Sequence, residues 1–338
     1  MLLLRMFSTP TAIAFFFILQ FGSAFGQTKI NIGVAAMSPR TIPLIIAQEQ
    51  GLFAKQGLEA RIVLIRGAPT LVASLISGDL EVGYTGGPAV VGAAAQGIYL
   101  KILSSISSKL THTLIANPSI KSAEQLRGKR MGIQSIGGST WMHTMLALEF
   151  LGLEPKRDNV SLLVIGDSVL IGQSLEVGRI DAATLDGALV RRLRSKGFNA
   201  VVDLTPHNIP MVNQAIVVSP EFLQKRADVA EKILMALVDS LAFTLAPQNK
   251  AVVTKTMMKR FQITDPIVSE EGYQDLLVSV ERKPFPSIDA LRNVRRLMAT
   301  QNPKVANVKL EELIDDRIIR KLDSNGYMDK MAAVYGAK

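Results

Sequence analysis

At 338 residues, 48 % of them hydrophobic, the chain is long enough for two packed units with a sizeable core. Its 38 Lys and Arg against 29 Asp and Glu leave a charge of +9, but the surplus is scattered over 191–196, 255–260 and 292–296 at helical spacing; with aromatics at 6 % there is no basic, base-stacking face for nucleic acid. Cysteine is absent, which excludes disulfides, thiolate nucleophiles and cysteine-based metal sites; His112, His143 and His207 lie far apart without metal-ligand spacing, so neither cofactor nor metal is expected.

The first 26 residues read as a secretory signal peptide. Arg5 is their only charge, 12–19 is an unbroken apolar run, and Ala24-Phe25-Gly26 offers small residues before a cut at Gln27. Cleavage leaves 37 basic against 29 acidic residues, and no later segment is long and apolar enough to span a membrane. A soluble, exported, periplasmic protein without membrane insertion is the expectation.

From Lys29 strands and helices alternate. Strands are expected at 29–34, 58–65, 80–84 and 100–106, with helices from Pro43 toward Gly51, at 69–77 and from Pro88. Strands separated by helices of this length imply parallel pairing through right-handed crossovers. Ligands of such sheets sit beyond the carboxyl ends of the strands, so the following loops are the candidate site: 37–40, 66–68 and 85–88. A short strand at 111–116 interrupts the pattern. A second α/β unit then runs through strands at 129–134, 160–165, 180–185 and 200–203 and helices at 139–151, 168–177 and 188–196. A strand at 213–218 returns the chain, and helices are expected at 227–245, 250–261, 269–280, 288–300 and 310–322.

A short repeat links the units. Ser74-Leu75-Ile76-Ser77-Gly78-Asp79-Leu80-Glu81-Val82 aligns with Ser174-Leu175-Glu176-Val177-Gly178-Arg179-Ile180-Asp181-Ala182 at an offset of 100, and Gly87 falls on Gly187. In each, a glycine closes a helix and feeds a strand. If the C-terminal helices complete the first unit, the chain crosses twice, near Thr111 and Val212. The expected organisation is lobe 1 from 27–111 with 213–338, lobe 2 from 112–212, and a hinged cleft between them.

Residues 131–151 join a strand, a glycine-rich turn and a helix, the order that presents backbone N–H groups and a positive dipole end to an anion. Gly132-x4-Gly137-Gly138-Ser139 resembles a phosphate loop, but Gly138 stands where the lysine must be, so nucleotide hydrolysis is not expected. Either a ligand-facing helix start at Gly138, Ser139 and Thr140 or a purely structural turn fits. Arg40 and Arg66 follow the first two strands, where each can clamp an anion or remain solvated. Asp186 can receive a ligand donor, bridge the lobes or cap the next helix. Trp141, the sole tryptophan, is a stacking wall or a core contact, and His143 one step round the helix is a packed histidine or a base. Thr85, Gly86 and Gly87 supply the matching turn in lobe 1, and Asn213, where the chain returns, completes the candidate set.

The stretches Ile30-Asn31-Ile32-Gly33-Val34, 47–58, 75–82 and 120–130 resemble the substrate-binding proteins of ABC importers of the nitrate, taurine and alkanesulfonate type, a branch that includes binders of thiamine pyrimidine precursors. The resemblance covers 29 to about 222 and implies a type 2 periplasmic binding fold: two α/β lobes, a two-strand hinge and a cleft. It implies ligand contacts at Ser38 and Pro39, at Thr85-Gly86-Gly87, at Ser139-Thr140 and at Asp186. Leu185-Asp186-Gly187 departs from the Trp-Asp or Trp-Glu-Pro type sequence common there, and the absence of cysteine argues against the related fungal pyrimidine synthases. The resulting expectation is a monomeric, non-enzymatic protein that closes on a small, anionic organic molecule and delivers it to a permease. The alternatives are an exported enzyme using His143 or Asp186 as base, and a ligand sensor for a membrane receptor.

Overall fold

The computed structural model describes residues 27–337 apart from Ala36 and Ser38. The expected signal peptide and the candidate Ser38 lie outside the described residues. Among the described residues no helix is long and apolar enough to cross a membrane.

Two five-stranded sheets carry the architecture. In the first, β1 (Thr28–Val34), β2 (Leu58–Leu64) and β3 (Val82–Thr85) pair in parallel. Their crossovers are α1 (Ile42–Glu49) with α2 (Leu52–Lys55), then α3 (Ala68–Ser77). Next, α4 (Gly87–Ala94) leads to β4 (Lys101–Lys109). In the second, β5 (His112–Ala116) precedes β6 (Arg130–Ile133), α5 (Ser139–Phe150), β7 (Ser161–Val164), α6 (Ser168–Glu176), β8 (Ala182–Asp186), α7 (Gly187–Ser195) and β9 (Asn199–Asp203). Finally β10 (Pro210–Val218) rejoins the first sheet.

The sheet orders are β2-β1-β3-β10-β4 and β7-β6-β8-β5-β9. They are one order used twice, so the repeat seen over nine residues extends through both units. Gly78 (φ 81°) and Gly178 (φ 73°) both take the left-handed conformation that closes a helix in one residue, at little steric cost only to glycine. Parallel pairing is incomplete, however: β10 lies antiparallel between β3 and β4, and β5 antiparallel between β8 and β9. Each of these strands arrives from the other sheet instead of through a helix on its own, so it can enter in the opposite direction. The two crossings run side by side, Leu110 N donating to the Ile209 carbonyl at 3.1 Å.

The rest is helical: α8 (Pro220–Lys225), α9 (Ala227–Leu245), α10 (Lys250–Phe261), α11 (Pro266–Ser279), α12 (Ile288–Ala299), α13 (Arg317–Ser324) and α14 (Tyr327–Tyr335). The α9 stripe Ile233, Leu237 and Leu241 is buried in one apolar cluster with Ile42, Leu44 and Ile45 of α1, each side chain contributing about 1.5–3 kcal/mol. Ser240 Oγ donates to the Pro43 carbonyl in the same contact. The single helix expected at 310–322 is broken. Ile314 bridges to Ile102 and Asp315 N donates to the Ile102 carbonyl at 3.0 Å, because the sheet edge offers a better partner for that backbone than another helical turn. From this tail α11 packs on α7 and α12 on α5, so it touches the second unit as well as the first.

Candidate functional site

The turns after β1, β3, β6 and β8 converge between the sheets, where a strand–turn–helix chain aims helix starts at one point. Thr85 and Gly86 end β3 and open α4. Gly138 and Ser139 open α5. A Cβ on Gly86 would overlap Ser139 Oγ and come within 2.9 Å of the Asn213 carbonyl, so glycine here permits the two lobes to touch. Gln134 Nε2 donates across the same gap to the Ala35 carbonyl at 2.5 Å. No side chain caps α5; Thr140 Oγ1 instead accepts from Gln134 N at 2.8 Å, which pins the turn before the helix.

Arg40 forms the floor. It is 6 % exposed; Nη1 donates to Asp186 Oδ2 at 3.2 Å, and Nη2 to Thr111 Oγ1 at 2.7 Å and to the Thr111 carbonyl at 3.1 Å. Its two terminal nitrogens also stand 3.2 and 3.5 Å from the ring nitrogens of His112. His112 and His143, far apart in sequence, have ring centroids 3.6 Å apart. Asn213 Nδ2 donates to the Lys109 carbonyl at 2.5 Å, which turns Oδ1 toward His143 Nε2 at 2.6 Å. The network thus assigns the His143 proton to Nε2 and leaves Nδ1 a buried acceptor with no partner among the described residues.

Burial dominates the electrostatics. It lowers the His143 pKa to about 3, aided by the charge of Arg40 and opposed by the bond to Asn213. His112 falls well below its ordinary value for the same first reason, with Arg40 and His143 adding to it. Both rings are neutral at neutral pH. Asp186 is raised by burial and by Asp275, against the pull of Arg40 and Arg191. At the mouth, Arg191 Nη2 donates to Asp275 Oδ2 at 2.7 Å and Nε lies 2.5 Å from Glu271 Oε2, tying α7 to α11. Gly187 makes room for this, since a Cβ there would collide with the Asp275 carboxylate.

Of the residues singled out from the sequence, Arg40, Thr85, Gly86, Gly138, Ser139, Thr140 and Asn213 line one cavity of about 40 Å³ together with His112 and His143. Pro39 and Asp186 border an adjoining crevice with Arg40. Asp186 stands at the start of α7 but makes no side-chain cap; the bridge to the other lobe is its observed contact. Three expectations need correction. Trp141 is 4 % exposed within the apolar core, so it is no stacking wall. Gly87 faces Val212 and Leu291 and does not reach the cavity. Arg66 is exposed on an outer gap with Ala35 and Gln134, away from the floor. Tyr84, His112, Gln134, Ser168 and Gln214 line the cavity without having been picked out. The 100-residue offset was a usable signal for one of them, since Ser168 matches Ala68 and both line it.

A family model described as NMT1/THI5 like matches residues 38–251, more than half of the chain. The chain belongs to the NMT1/THI5-like family. A structure from Bordetella bronchiseptica RB50 superimposes with a TM-score of 0.78 at 19 % identity, covering 89 % of this chain and 98 % of that one. The periplasmic nitrate-binding protein NrtA of Synechocystis PCC 6803 does so with 0.68 at 13 % identity, covering 90 % and 91 %. Among curated relatives, the taurine-binding periplasmic protein of Escherichia coli (strain K12) is 25 % identical over 289 residues, 74 % of this chain and 89 % of the relative. The fold is that of the type 2 periplasmic binding proteins, with two α/β lobes, two connecting strands and a cleft between them.

Proposed function

We propose that this chain is an extracytoplasmic solute-binding protein that captures a small organic molecule by closure of its two lobes and hands it to an ABC permease. The observation that carries this reading is the Gly86–Ser139 approach: helix starts from both lobes meet over a polar cavity, so a ligand held there gains contacts only when the lobes are together. The relatives named for nitrate and taurine support it. The lobes are taken as 27–111 with 213–338 and as 112–212, and the working unit as a monomer.

An anionic group is the preferred ligand head. The start of α5 offers backbone N–H groups, and the starts of α4 and α5 together bring two positive dipole ends. Arg40 does not supply a free bidentate clamp, because Asp186 and Thr111 occupy both of its terminal nitrogens. It acts as a buried bridge under the site. Of the two bases that the enzyme reading offers, His143 and Asp186, the first is weak at neutral pH, since burial lowers its pKa to about 3, and the second is engaged by Arg40.

Titration calorimetry against sulfonates, carboxylates, nitrate and pyrimidines tests the reading. Saturable 1:1 binding to a member of one class, with no product formed, is expected. No binding in any class, or turnover lost on His143→Ala, would overturn it.

A further inference from the structure

The cavity beneath Gly86 and Ser139, at about 40 Å³, holds a few waters or a small polar head and nothing larger. A second chamber of about 460 Å³ lies between the same lobes and shares Ser168 with it. That volume falls in the range of small-molecule sites, roughly 300–1,000 Å³. Its walls come from both lobes: Val169 and Leu189 from α6 and α7 on one side, Phe261, Ile263 and Val268 from the α10–α11 connection on the other.

The α10–α11 connection is shaped to face the chamber. Gln262 takes a left-handed conformation (φ 53°) that ends α10, and Ile263 N donates back to the Met258 carbonyl at 3.0 Å. The turn carries Ile263 out beside Phe261, and both are only partly buried. Charge gathers on the opposite rim. Arg192 and Lys196 share one carboxylate, Glu176, at 2.9 and 2.8 Å, so the three groups keep a net positive charge. Asp265 on the facing turn already makes an interaction of its own.

We propose that this chamber is the compartment for the apolar body of the ligand, and that the physiological solute is an amphipathic organic anion with at least one ring or branched alkyl group, its head in the inner cavity. The inference rests on the solute-binding reading and narrows it. A bare inorganic anion or a two-carbon zwitterion would leave the chamber's apolar walls against water, and closure over an apolar body removes that surface. The rim cations bias entry toward anions without requiring a direct contact.

The test compares benzenesulfonate with methanesulfonate, which share a head and differ in body, on the full mature chain. Wild type is expected to bind benzenesulfonate at least about tenfold more tightly. Leu189→Asn, which makes the lobe 2 wall polar, should reduce that preference and leave methanesulfonate affinity within about twofold. Ile263→Asn on the lobe 1 wall should do the same, and serves if the first variant melts early. Equal affinity of wild type for both sulfonates, or variants that bind benzenesulfonate as well as wild type does, overturns the proposal. Binding of nitrate or a pyrimidine with neither sulfonate bound also overturns it while leaving the solute-binding reading intact; no binding of any solute removes both.

Discussion

Arg40 of the turn after β1 donates through Nη1 to Asp186 Oδ2 at the end of β8, 3.2 Å away and 146 positions along the chain. The pair is buried on both sides, with side chains 7 and 6 % exposed, and it joins the two lobes directly beneath the cavity.

Breaking one half of that pair is expected to be costly. Asp186→Leu leaves a buried guanidinium with Thr111 as its main remaining partner, and a loss of about 3–5 kcal/mol is expected. Arg40→Met combined with Asp186→Leu removes both charges and should recover most of it. Urea unfolding of the two single variants and the double reads this out. A double variant less stable than either single would show that the pair contributes more than mutual neutralisation.

Acid should destabilise the protein through its histidines. The folded His143 has a pKa of about 3 and His112 is also depressed, whereas both titrate near 6.5 when unfolded. Between those values the unfolded chain binds more protons, so stability is full above about 6.5 and falls as pH drops, by up to about 1.4 kcal/mol per unit for each ring. Asp186 has the opposite sign: its raised value makes stability fall as pH rises out of the ordinary carboxylate range. His143→Gln should flatten the slope between pH 6 and about 4. An unchanged slope in thermal melts across that window would remove the histidines as its cause.

Ser139 and Thr140 should separate into two roles. Thr140 is buried and its hydroxyl accepts from Gln134 N, so Thr140→Ala is expected to cost about 1–3 kcal/mol of stability. Ser139 meets the other lobe at Gly86, so Ser139→Ala should leave the melting temperature nearly unchanged and weaken ligand binding. Calorimetric affinity beside melting of each single variant distinguishes them; loss of stability in both with affinity kept would make the turn structural.

At the mouth, Gly187→Ala forces the Asp275 carboxylate away from α7 and loosens its bond to Arg191. These groups are about a third exposed, so the loss of stability should stay below about 1 kcal/mol. The lobes should nevertheless part more easily. Solution scattering is expected to give a larger radius of gyration for the unliganded variant, and an unchanged radius would exclude Asp275–Arg191 as a latch.

The elements were legible because their signals are local. Prolines marked the starts of α1, α3 and α4, left-handed glycines closed α3 and α6, and apolar spacing located α9 and α10 to the residue. The helix expected over 310–322 failed because the partner that broke it, Ile102, lies some 200 positions earlier. Trp141 was ambiguous for a related reason: its place at a helix start is the same whether its side chain faces the cleft or the core, and only the packing of the lobe turns it inward.

By itself the sequence determined the two alternating α/β units, their 100-residue repeat and the loops that border the cleft, since periodicity and turn chemistry act over a few residues. Only the tertiary structure decided what those loops do to one another. It brought His112 against His143, engaged Arg40 with Asp186, and set β10 antiparallel in the first sheet and β5 antiparallel in the second. Such contacts depend on how two sheets are held face to face, and that distance is set by the whole core, not by any short stretch of chain.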